Sequence, residues 1–171
     1  MDGKDKIIWI PTRLALQTPR NISKINTQGV ELSIEKKLFG DILDISFFYI
    51  YTDARNKSKV SENDLSYNKQ IIYTPAHRFN FNFTARLNPF SFSLYSSFVD
   101  KRFYTTDNNN NYLLPEYFIT DISASYNFKI FNHNQSLTLT VYNLLNEDYF
   151  VIQSYPMPLR TFLITLNMEI L

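Results

Sequence analysis

The chain has 171 residues, enough for one ordinary domain, and its 17 Lys plus Arg against 16 Asp plus Glu leave a formal net charge of +1. That balance gives no electrostatic footprint for nucleic acid or an anionic surface, and the absence of Cys removes disulfides and thiolate metal sites. Aromatic residues reach 16% and no stretch is long and apolar enough for a transmembrane helix, so any membrane crossing must be made by strands.

Alternation of apolar and polar residues runs almost throughout and predicts strands. An apolar stub at residues 6–12 comes first, then a long connection over 11–23. "GVELSIE" sets Val30, Leu32 and Ile34 against Glu31, Ser33 and Glu35. A short turn, "LFGD", leads to "DISFFYIYT", with Ile45, Phe47, Tyr49 and Tyr51 on one side. A long connection follows over 54–77, and the polar, charge-mixed stretch 52–69 reads as a surface loop. "RFNFNFTARL" and "FSFSLYSSF", joined by Asn88 and Pro89, read as a tight hairpin. After a long segment over 102–116, "FITDISASYNFKI" and "LTLTV" flank the short turn "NHNQ". A last long segment, 145–159, leads to a final strand carrying Phe162, Ile164, Leu166, Met168 and Ile170 on one face.

Short turns thus alternate with long loops over about eight strands, the pattern of an antiparallel up-and-down membrane barrel. Strands at 117–131 and 160–170 are long enough to cross a bilayer at a tilt, and their apolar faces carry no charge. Aromatics gather at both ends: Tyr49, Tyr51, Tyr117, Phe118, Tyr149 and Phe150 towards the long loops, and Phe39, Phe90, Phe128 and Phe131 towards the short turns. These are expected to be membrane-interface aromatics. The predicted class is all-β, a segment of a transmembrane β-barrel. A closed eight-stranded barrel with a structural or adhesive role, or a soluble all-β binding domain, would share the alternation.

With the strands placed, "VYNLLNEDYF" followed by "SYPMPLRTFLITLNMEI" resembles the C-terminal end of TonB-dependent outer-membrane receptors. The matching positions are Asn143, Leu144, Asn146, Tyr149, Tyr155, Pro156, Pro158 and Arg160; upstream, Gly29, Val30 and Glu31 match the family's Gly-(Val/Ile)-Glu strand. "YIYTDARN" and "YTPAHRFNF" are similar to the segments that follow it, so the likeness spans residues 20–171. Leu159 stands where the family often has Gly, and Ile170 where its last outward residue is usually aromatic. The resemblance implies that residues 1–171 form the C-terminal portion of a barrel of about 22 strands. The plug domain and earlier strands, and the leader that "MDGKDKIIWIPT" does not resemble, would then belong to a longer protein.

It also implies outer-membrane lipid and the barrel-assembly machinery as partners, an energy-transducing TonB-type protein acting through the plug, and a small-molecule cargo: a metal chelate or siderophore, or a vitamin such as cobalamin. The long loops would face outside, where Arg102, Phe103, Tyr104, Tyr112 and Tyr155 are candidate cargo contacts. No enzyme and no resident cofactor are expected. His77 and His133 fall at opposite ends of the predicted barrel, Ser125 and Ser154 lack any triad spacing, and the Asn-rich run 105–114 holds one acid, Asp107, too few for a calcium site.

Overall fold

The computed structural model describes residues 2–11, 17–59, 61–131 and 133–169. Eight strands form one antiparallel sheet: β1 (Asp2–Pro11), β2 (Gln17–Leu38), β3 (Leu43–Asn56), β4 (His77–Leu87), β5 (Phe90–Val99), β8 (Tyr117–Ile130), β9 (His133–Tyr142) and β12 (Thr161–Met168), in that spatial order. Two small hairpins sit in the long loops, β6 (Arg102–Phe103) with β7 (Leu113–Leu114) and β10 (Phe150–Ile152) with β11 (Tyr155–Pro156). Two of the short turns have the predicted chemistry. Phe39, Gly40 and Asp41 all take positive φ, and a cis Asn88–Pro89 bond joins β4 to β5, where Leu87 pairs Phe90.

The register lines up one continuous apolar face. Leu32 lies opposite Tyr49, Phe47 opposite Phe81, Phe83 opposite Leu94, Leu94 opposite Ile122, and Leu139 opposite both Ala124 and Ile164. Among the described residues no second layer covers this face. Val30 is 62% exposed, Phe92 49% and Ile164 71%. Hiding such a side chain from water is worth about 1.5–3 kcal/mol, and a contiguous uncovered apolar face marks an apolar partner phase. A sandwich would have filled that space with a second sheet, so the soluble reading lacks its core.

The other face is polar and laced across strands. Asn82 Nδ2 donates to Ser46 Oγ at 3.0 Å, Ser97 Oγ to Asn80 Oδ1 at 2.8 Å, and Asn167 Nδ2 to Ser136 Oγ at 3.2 Å. Hydroxyls pair at Thr84–Ser93 (3.2 Å) and Ser125–Thr138 (2.8 Å). One polar pair lies on the apolar side: Ser96 Oγ and Thr120 Oγ1, 3.1 Å apart and both buried. Gly29 is required by close approach, since a Cβ there would stand 2.4 Å from the Tyr51 carbonyl oxygen.

Two expectations change. The connection over 11–23 is strand from Gln17 onward; the polar, Pro-containing "QTPRNISKI" hides the extension because it breaks the alternation. The predicted turn "NHNQ" also changes, since His133, Asn134 and Gln135 lie in β9, whereas the predicted stub is strand as far as Pro11, within β1. β1 pairs only with residues 17–26 of β2, above the level of Val30, and below that point the β2 edge has no partner among the described residues. β12 bears the other free edge, and β1 and β12 do not meet, so the sheet is open and the closed eight-stranded barrel is not formed. Ile170 and Leu171 lie outside the described residues.

Candidate functional site

Chemically varied side chains concentrate at the long-loop end, where three loops are tied together. Arg102 opens β6 and is 3% exposed. Its guanidinium donates to the carbonyls of Pro115 (3.4 Å), Val151 (3.4 Å) and Phe150, and stands 5.2 Å from the centroid of the Tyr117 ring. It therefore clips the β6–β7 hairpin to the β10–β11 hairpin. No carboxylate of the described residues forms an ion pair with it. Burial lowers its pKa, offset in part by Tyr117 and Tyr73, and a guanidinium stays charged regardless.

The loop between β3 and β4 joins the same assembly. Tyr73 N–H donates to Phe103 O at 2.8 Å. Asn108 Oδ1 accepts from Gln70 N at 2.6 Å while its Nδ2 donates to Gln70 O at 3.1 Å. This exchange gives one member of the Asn-rich run a structural task, and Asn108 takes the left-handed φ of 53° that Asn tolerates. Leu114 is the most completely buried large side chain of the described residues, and Ile72 and Val99 are buried at the same end, whereas Ala85 and Val141 are buried within the sheet.

The Asn143 motif holds the loop after β9. Asn143 is buried with φ 50°, and its N–H donates to Asp121 Oδ1 at 2.7 Å. Its Oδ1 accepts from Glu147 N at 2.9 Å, and its Nδ2 donates to Glu147 O (2.8 Å) and Pro158 O (3.2 Å). Leu144 N–H reaches Thr120 O at 2.7 Å, and Arg160 N–H reaches Asn146 Oδ1 at 3.0 Å. The family-motif positions Asn143, Leu144 and Arg160 thus act through backbone fixation. Pro156 pairs Phe150 across the β10–β11 hairpin, and Leu159 fits because its φ is not positive. Glu31 lies in β2 opposite Ile50 on the polar face, two residues from Gly29.

The predicted interface aromatics divide by parity. Tyr49, Tyr51, Phe118, Phe90 and Phe128 lie on the apolar face. Tyr49 OH bonds His77 Nδ1 at 2.9 Å, Phe90 sits 5.1 Å from Tyr126, and Tyr126 stacks on Phe128 at 5.5 Å. Tyr117 shares the other face with Asp121 and Ser123, and Tyr149 packs on it at 4.5 Å. Consecutive aromatics such as 117 and 118 cannot both face outward on a pleated strand. Tyr149 is held protonated above the ordinary tyrosine range, first by burial, then by Tyr117 and Asp121. Phe150 belongs to β10, in the loop. Among the candidate cargo contacts, Tyr104 meets Tyr112 edge-on at 5.8 Å, Tyr112 and Tyr155 are exposed, and Arg102 is enclosed as described.

No group of three His, Cys, Asp or Glu side chains converges among the described residues, and His133 begins β9 at the short-turn end, remote from His77. The family described as "TonB dependent receptor-like, beta-barrel" matches residues 1–144. No curated protein matches the chain. Among solved structures, the siderophore receptor PiuA from Acinetobacter baumannii superposes with a TM-score of 0.77 at 20% identity, over 98% of this chain and 24% of that one. The ferric preacinetobactin receptor BauA from the same species gives 0.72 at 16% identity, over 95% and 25%. The ferric citrate transporter FecA gives 0.70 at 20%, over 81% and 23%. The chain thus spans about a quarter of these structures, and family and neighbours are receptors and transporters, not enzymes. An open antiparallel sheet with an uncovered apolar face, matched over residues 1–144, makes this chain a member of the TonB-dependent receptor β-barrel family.

Proposed function

We propose that residues 1–171 are the C-terminal wall and outer loops of an outer-membrane receptor that takes up a scarce nutrient: a metal chelate such as a siderophore complex, or a vitamin such as cobalamin. The observation that carries this reading is the uncovered apolar face bounded by two unpaired edges. An unsatisfied backbone group costs several kcal/mol in hydrocarbon, so a sheet with this surface needs neighbouring strands on both sides before it lies in a membrane. The iron and siderophore cargoes of the superposed receptors support the cargo class.

On this reading the long loops face outside and the short turns the periplasm. Outer-membrane lipid meets the apolar face, the barrel-assembly machinery inserts the chain, and a TonB-type protein supplies energy through a plug. Tyr104, Tyr112 and Tyr155 contact cargo at the rim. An antibody against residues 142–171 tests the assignment on outer-membrane fractions. The expected band has about four times the mass of this chain, since the chain spans 24% of a comparable receptor. A band at the 20.2 kDa of the chain itself would overturn it.

A further inference from the structure

The uncovered apolar face is not evenly corrugated. Ala85, Phe92, Ala124 and Leu139 lie side by side on β4, β5, β8 and β9, so small and large residues alternate along one cross-strand row. Phe83, Leu94 and Ile122 form the next apolar row towards the long loops. These two rows line a notch of about 370 Å³. Ala124 is its exposed floor, Phe92 and Leu139 stand on either side, and none of its lining residues is charged.

One step further towards the long loops, Ser96 and Thr120 face each other across β5 and β8, hydroxyls 3.1 Å apart and both residues buried. Phe79, Phe98 and Phe118 cluster above them, with Phe98 at 5.2 Å and Phe118 at 6.3 Å from the Phe79 ring. The hydroxyl pair is only half satisfied. Its mutual bond uses one of two hydroxyl protons, and neither hydroxyl makes another hydrogen bond to the described residues. In hydrocarbon no water completes the set.

The missing partner must both accept a proton and donate one. An amide does both, whereas an ester only accepts. The apolar notch below the pair suits a chain of methylenes, since space left unfilled beside the wall forfeits dispersion contacts. Lipid tails are as apolar as the wall, so polar contacts at the head of the chain must select one molecule over another. We infer that the notch seats an amide-linked acyl chain of an outer-leaflet glycolipid, its amide bonded to the Ser96–Thr120 hydroxyls. The inference rests on the outer-membrane placement proposed above, not on the cargo, and adds a specific lipid partner on the face opposite the loops' polar contacts.

The test uses the complete receptor, purified from outer membranes in mild detergent and stripped of lipid. It is titrated with lipid A and with phosphatidylethanolamine, whose chains are ester-linked, and bound molecules are counted by native mass spectrometry. Lipid A should bind in preference. The double variant Ser96→Ala, Thr120→Val removes both hydroxyls with little change of shape and should weaken lipid A binding about three- to ten-fold, the range for a hydrogen bond within a membrane. Ala124→Phe fills the notch and should abolish the preference. Binding of phosphatidylethanolamine and the heat-modifiable folded fraction should match wild type in both. Preference of the wild-type receptor for phosphatidylethanolamine, or unchanged lipid A binding in either folded variant, would overturn the inference. The wild-type preference is read without any substitution and decides even where a variant folds poorly. A receptor that selects lipid A but carries no nutrient would overturn the uptake reading alone, and absence of the complete receptor from the outer membrane would remove both.

Discussion

Replacing Asn143 with Ala should release the loop over residues 143–160 while leaving the wall intact. The side chain makes three hydrogen bonds in a buried setting, two with the backbone of Glu147 and one with Pro158 O. At about 0.5–1.5 kcal/mol each, their loss is roughly 1.5–4.5 kcal/mol. Ala must also hold the φ of 50°, which adds about 1 kcal/mol for a left-handed residue with a Cβ. Together these give about 2.5–5.5 kcal/mol, or an opening equilibrium raised by about sixty-fold or more. Cleavage within this loop by an external protease on whole cells reports that equilibrium when reclosing is fast. Asn143→Gly, which loses the same bonds without the conformational cost, should be cut about five-fold more slowly than the Ala variant. Equal protection of wild type and Asn143→Ala, or faster cutting of the Gly variant, would refute the reasoning.

Gly29→Ala forces a Cβ against the Tyr51 carbonyl and should cost about 1–3 kcal/mol, read as a smaller fraction of heat-modifiable folded barrel; an unchanged fraction would contradict the close approach. Leu139→Arg on the apolar face should lower insertion into lipid vesicles by about 2–4 kcal/mol, whereas Thr140→Arg one residue on should be tolerated; equal effects would reverse the face assignment. Because burial raises the folded-state pKa of Tyr149, its contribution is fully present below the ordinary value of about 10 and is lost as pH rises through the folded value. The loops should therefore loosen in alkali, and Tyr149→Phe should reduce that sensitivity, measured as loop proteolysis against pH.

The wall was legible because its signals are local. Period-2 alternation in "RFNFNFTARL", the Asn88–Pro89 turn and the spacing of long and short connections each follow from pleat and turn chemistry. The rim was less legible because its contacts join residues far apart in the chain. Nothing near Arg102 in the sequence announces Phe150 as its partner, so it reads as a free rim cation although the fold encloses it. The upper half of β2 failed for a different reason: outside the apolar band neither face needs to be hydrophobic, and the periodic signal disappears. Tyr117 was within reach, since counting by twos from Asp121 puts it on the polar face. Asn143 matched a motif without revealing its work. Asn at positive φ, both at 143 and at 146, was the available hint of a tightly bonded turn.

The hydroxyl pair of Ser96 and Thr120 bears on how the strands find their alignment. Segments such as "FSFSL" and "FNFNF" nearly repeat every second residue, so sliding one strand past another by two positions would keep every apolar side chain on the same face. Alternation alone cannot forbid that slip. The pair can, because moving β5 by two places against β8 sets Ser96 opposite Phe118 or Ile122 and strands both hydroxyls in hydrocarbon. Each stranded hydroxyl costs about 2–7 kcal/mol, more than an exchange of one aromatic contact for another returns. Two small polar residues thus act as a registration pin in a wall that is otherwise nearly periodic.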